Sequence, residues 1–126
     1  MFYKAIIRGV VSLSLALTFS PTIGCKKSGA QAPATPAEAQ TAMQDAFKQA
    51  SPELKAAADE TAATIEREPA KALGQLQAIS ANVDLTSEQR RAAEQSMFLL
   101  LKNIQEAASK GDANAEKALQ VYQATK

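Results

Sequence analysis

The sequence predicts an all-α fold: a small antiparallel bundle of four or five helices behind a disordered N-terminal tether. Three observations carry that expectation. Beyond residue 38, apolar residues recur at the three-and-four spacing of a helical stripe. No stretch of that region alternates apolar with polar residues, or gathers β-branched side chains, as a strand does. Proline and capping residues cut the pattern into short segments, which argues against one continuous coiled coil, and the short connections favour antiparallel neighbours.

In the first helix, Ala39, Ala42, Met43, Ala46, Phe47 and Ala50 fall on one stripe, with Met43 and Phe47 as its anchors. A methionine beside an aromatic at this spacing is a core pattern rather than a cofactor box. Ser51-Pro52-Glu53 then opens a second helix. Serine accepts a bond from an orphan N–H, proline lacks the N–H that would go unpaired at the first helical position, and glutamate suits the positive helix end. Leu54, Ala57, Ala58, Thr61, Ala62 and Ile65 form the second stripe. Glu68-Pro69 repeats the break, because proline disfavours helical geometry at the residue before it. A short third helix follows, with Leu73, Leu76, Ile79 and finally Val83 as inward candidates, weakened by Gly74 at a cost of about 1 kcal/mol relative to alanine.

Asn82 to Leu85 reads as a turn, and Thr86 with Gln89 three positions later is a capping-box pattern for the longest helix. Its run Met97-Phe98-Leu99-Leu100-Leu101 is apolar on all sides, which a surface helix does not tolerate, so this helix is expected at the centre. Ile104 and Ala108 continue the stripe, and Lys110-Gly111 brings the positive charge and flexible residue of a helix end. Asp112 caps a last helix that runs to Lys126, with Ala115, Ala118, Leu119 and Tyr122 on one face. Residues 111–119, Gly-Asp-Ala-Asn-Ala-Glu-Lys-Ala-Leu, look like a fragment of a tetratricopeptide or Sel1-like repeat. No second copy follows at a fixed period, and one repeat cannot bury its own face.

Ahead of the bundle, Lys26 to Ala37 is small and polar with two prolines, which reads as a disordered spacer. Met1 to Arg8 carries Lys4 and Arg8 and no acidic residue, and the mostly apolar run Val10 to Phe19 follows: a signal-peptide pattern. A retained membrane-spanning helix needs about 20 predominantly apolar residues, whereas this run is interrupted by hydroxyl residues and stopped by Pro21. Ordinary cleavage and release favours small residues at the first and third positions before the cut. Cuts after Ser20 or Ala32 place Pro21 or Pro33 next, and a cut after Ala34 lies far beyond the apolar run. Cleavage between Gly24 and Cys25 fits best.

Ile23-Gly24-Cys25 resembles the lipobox of bacterial lipoproteins, in which an aliphatic residue and a small residue precede the cysteine; Thr22 stands where that class favours leucine. The resemblance covers residues 1–25. It implies a signal peptide over 1–24, a lipidated Cys25 with a flexible tether over 25–37, and a helical bundle domain over 38–126. Cys25 would carry a thioether-linked diacylglycerol and an acyl group on its new amino terminus. Burial contributes about 0.8 kcal/mol per CH₂, so several chains together hold firmly where one does not. Lys26 stands where an aspartate tends to retain enterobacterial lipoproteins at the inner membrane. In a diderm organism the resemblance therefore implies an outer-membrane location facing the periplasm.

Fourteen basic side chains stand against thirteen acidic ones, a formal net charge of +1, which falls to −1 when Lys4 and Arg8 leave with residues 1–24. No basic surplus drives nucleic-acid binding, and the Lys26-Lys27 pair is placed to touch anionic head groups. The single cysteine, once acylated, leaves no disulfide, so stability must come from packing.

A hydrolase requires a nucleophile, a base and a polarising group in one pocket. With no histidine in the chain, bases are limited to carboxylates and lysines. Glu66 with Glu68, and Asp59 with Glu60, are candidate pairs for glycoside cleavage, but they flank apolar stripes on helix surfaces, where solvated charge is the ordinary outcome. No cysteine–histidine set offers a transition-metal site, and no Gly-rich strand-to-helix turn offers a phosphate cradle. The expectation is a non-enzymatic envelope lipoprotein without a cofactor. Its role would be binding or structural, with the membrane reached through lipid and an envelope protein as partner. Two alternatives stay open. Murein lipoproteins share the lipidated start and join a C-terminal lysine to peptidoglycan, which makes Lys126 a candidate attachment point, although this chain lacks their unbroken heptads. Other small lipoproteins act as inhibitors or immunity factors against lytic enzymes.

Overall fold

A computed structural model describes residues 31–126. Five helices follow one another: α1 Pro36–Phe47, α2 Pro52–Thr64, α3 Pro69–Ser80, α4 Ser87–Ser109 and α5 Ala113–Ala124, with no strand among the described residues. The fold is the expected all-α antiparallel bundle. Residues 1–30 lie outside the described residues, and with them the readings placed on the signal peptide, on Gly24, on Cys25 and on the first part of the tether.

Local chemistry sets the helix boundaries. α1 starts inside the stretch read as tether, two residues ahead of 38. Thr35 is extended and its Oγ1 accepts from the Glu38 N–H at 3.3 Å, Pro36 takes the first helical position, and Glu38 Oε2 accepts from the Ala34 N–H at 2.7 Å. Thr35-Pro36 is thus the same device as Ser51-Pro52, where Ser51 Oγ accepts from the Leu54 N–H at 3.4 Å to open α2. α3 begins at Pro69 without a side-chain cap from Glu68. At α4 both halves of the capping box are made, Gln89 N–H to Thr86 Oγ1 at 3.2 Å and Thr86 N–H to Gln89 Oε1 at 3.0 Å.

The end of α4 is a Schellman motif. Gly111 adopts φ +88°, its N–H meets the Ala108 carbonyl at 2.9 Å, and the Asp112 N–H meets the Ala107 carbonyl at 3.1 Å. Asp112 then accepts from the Asn114 and Ala115 N–H groups at 2.9 and 3.1 Å, starting α5 within three residues of the end of α4. α5 stops at Ala124, short of Lys126, where the Thr125 N–H turns back to the Tyr122 carbonyl at 3.3 Å.

The first four helices close a ring in which α1 packs on α2 and α4, and α3 packs on α2 and α4. Inside the ring Phe47, Met43, Ile65, Leu76 and Leu100 are fully buried, and alanines at 39, 58, 62, 72, 92 and 93 fill the spaces where the helices come close. α4 is twice the length of its neighbours, so its second half projects beyond that core. There Ile104, with Leu73 of α3 and Ala115 of α5, forms a second, smaller cluster, flanked by half-buried Leu101, Ala108, Leu119 and Tyr122.

Two apolar residues depart from the expected pattern. Val83, an inward candidate, sits in the α3–α4 connection at 86% exposure, because Asn82 turns the chain outward by accepting from the Asp84 N–H at 2.9 Å. Phe98 lies within the run read as apolar on all sides, yet it is 73% exposed. α4 is central in that it touches α1, α3 and α5, but those three neighbours leave one of its faces uncovered.

Candidate functional site

Of Gly24, Cys25 and Lys126, only Lys126 lies among the described residues. It lies exposed past the end of α5, and its ammonium stands 5.1 Å from the centroid of the Tyr122 ring. Tyr122 is half-buried against the second cluster, as its position on the α5 stripe suggested. Gly24 and Cys25 fall among residues 1–30, so no geometry attaches to them.

The four carboxylates weighed for glycoside chemistry are distributed over the surface. Glu66 and Glu68 are exposed in the α2–α3 connection, and Asp59 pairs with Lys55 one turn back on α2. Glu60 joins a polar row between α2 and α3. Its Oε1 accepts from Gln75 Nε2 at 3.0 Å and lies 3.6 Å from Lys71 Nζ, while Gln75 Oε1 stands 2.7 Å from the buried Thr64 hydroxyl. This row ties two neighbouring helices in register. Its one ion pair is exposed, and a contact of that kind contributes at most about 1 kcal/mol. Beside it a shallow groove of about 380 Å³ runs between Leu54, Ala57 and Ile79, rimmed by Ser51, Glu53 and Asn82.

A second groove, about 340 Å³, lies on α4 where the chain joins the bundle. Ala32, Pro33 and Ala34 form one wall, and Glu94, Gln95, Phe98, Leu99 and Lys102 form the other. Phe98 stands at its centre with Glu94 one turn before and Lys102 one turn after on the same helical face. Sequence reasoning assigned Phe98 to the core and missed this surface. The signal available was that flanking pair of charges, which marks positions 94, 98 and 102 as one solvent-facing row.

Among the described residues no group of three or more histidine, cysteine, aspartate or glutamate side chains converges to hold a metal ion, and no helix is long and apolar enough to cross a membrane. Comparison with protein-family models, with curated proteins and with solved structures finds no match to the chain.

Proposed function

We propose that this chain is a lipid-anchored bacterial envelope lipoprotein whose helical body serves a binding or structural role rather than catalysis. The observation that carries the reading is the lipobox-like Ile23-Gly24-Cys25 immediately behind a basic and then apolar start. Acylation at Cys25 would hold the bundle at a membrane surface, with Lys26 in the position that favours the outer membrane, facing the periplasm. The small body supports the binding role through what it offers outward: two shallow grooves and an exposed aromatic ring. An envelope protein is the partner class this reading names, and inhibition of a lytic enzyme is one form such binding takes.

The test is Cys25→Ser in the native host, read by membrane flotation and by the mass of the mature N-terminus. Wild-type protein should float with membranes and carry a diacylglyceryl and an N-acyl group, while C25S should leave the membrane fraction or retain its uncleaved leader. Wild-type protein bearing an unmodified cysteine would end the reading.

Lys126 supports a second reading, a link to the cell wall. Its side chain is exposed past the last helix, the ammonium held only over the half-buried Tyr122 ring, where a transferring enzyme can reach it. Washed sacculi should then hold the protein until lysozyme releases it, and deletion of Lys126 should leave it wholly detergent-soluble. Sacculi free of the protein would eliminate the link and leave the lipid anchor untouched.

A further inference from the structure

We propose that the Phe98 face of α4 is the side of the bundle that rests on the bilayer, the aromatic ring entering the interfacial layer of an anionic membrane; this rests on the lipid anchor proposed above. Three observations place that face, rather than another, against lipid.

The first is the ring itself, which is 73% exposed although residues 99 and 100 beside it are buried in the core. Water is a poor solvent for an aromatic side chain, and the membrane interface, where acyl chains and head groups meet, accommodates one. The second is where the chain joins the body. Ala32, Pro33 and Ala34 wall the same groove as Phe98, so any anchor upstream pulls on the bundle from this side. The third is length. Cys25 precedes Gln31 by six residues, a contour of about 20 Å at full extension. A ring of four packed helices is about 20–25 Å across, and the way round it from the α4 side takes more chain than that, so the anchor cannot reach a membrane lying against α2, which stands across the ring from α4 without touching it.

The charges fit a lipid surface. Lys102 lies one turn from Phe98, where its alkyl stem can follow the ring while its ammonium stays with the phosphates. Lys26 and Lys27 occupy the stretch that leads to the anchor. Glu94 is the single carboxylate in the groove lining, and it faces Phe98 from the turn opposite Lys102. The contact is peripheral: one ring and one ammonium in the head-group layer, with the acyl chains providing the hold.

The chain contains no tryptophan, so Phe98→Trp places its one indole at the proposed contact, excited at wavelengths where the tyrosines do not absorb. Ala56→Trp, at an exposed position on α2, provides the far-side counterpart. Each full-length variant, purified from membranes with its native N-terminus, is reconstituted on phosphatidylethanolamine–phosphatidylglycerol vesicles, floated, and measured again with brominated acyl chains. In floated protein, F98W emission should shift to the blue and lose most of its intensity to the bromines, while A56W should do neither. Floated F98W with the emission of a water-exposed indole would overturn the proposal and spare the anchor. A blue shift without bromine quenching would also overturn it, since protein, a second copy included, would then be covering the ring. Failure to float, with an unmodified Cys25, would remove the anchor and this face together.

Discussion

The ring of α1–α4 and the α4–α5 end are built from the same kind of helix but differ in how much each hides. Inside the ring five large side chains, Phe47, Met43, Ile65, Leu76 and Leu100, lose all contact with water, each helix packing on two others. At the α4–α5 end only Leu73, Ile104 and Ala115 are buried, while Leu119 and Tyr122 remain half in solvent. Helix α5 leans on α4 and, more lightly, on α3, and it has no neighbour on its outer side. Burying a leucine-sized side chain stabilises by roughly 1.5–3 kcal/mol, so the ring holds most of the stability, and α5 is a satellite held by half-buried contacts and by its caps. Free energies of local opening should follow the same division.

The strongest way to break the comparison is Phe47→Ala. It empties the largest fully buried position and should cost about 3–5 kcal/mol. Because Phe47 sits where α1 meets the common core, the loss should appear as destabilisation of all five helices in one transition, read by chemical denaturation with circular dichroism. Separate transitions for α1 and for the rest would show that the ring is not one cooperative unit.

Asp112→Ala acts on the other region. Asp112 caps two N–H groups of α5 directly behind the Schellman turn, and its removal should cost about 1 kcal/mol. The change should be local. Amide hydrogen exchange should quicken across residues 113–124 and stay near wild type at Leu76 and Leu100. Uniform acceleration everywhere would mean that α5 is as integral to the body as α1.

A third effect, no larger than the last, has the opposite sign. Ser96 is wholly buried in α4, and its hydroxyl has no hydrogen-bond partner among the described residues. Ser96→Ala removes a desolvated polar group without opening a cavity of note and should raise stability by about 1 kcal/mol, or about 4–8 °C in Tm for a body of this size. A loss of stability would show that the hydroxyl has a partner when the protein is in solution.

Much of this was legible before any coordinates. Thr86 and Gln89 announced a capping box, Ser51-Pro52 and Asp112 announced helix starts, and Lys110-Gly111 announced an end; each is made as expected because its partners lie within five residues. Thr35-Pro36 carried the same local signal as Ser51-Pro52, but it lies in a stretch whose alanine and proline content suggested tether, and composition masked the cap. Helical periodicity extended past Ser80 puts Val83 inside, but the helix ends there and Asn82 bends the connection outward. The surface around Phe98 was harder still. Five consecutive apolar residues give periodicity nothing to distinguish, and only the charges at 94 and 102 mark the outward row.

By itself, then, the chain determined its helices, their limits and the motif at Cys25 on which the proposed anchor rests, because caps, proline breaks and short motifs act between residues close in sequence. Tertiary structure decided that α1 closes onto α4, that α5 is left with one flank, and that Phe98 faces water. Those outcomes turn on which helices meet across dozens of residues. A face is inside only if another helix arrives to cover it, and no local pattern on α4 records that none does.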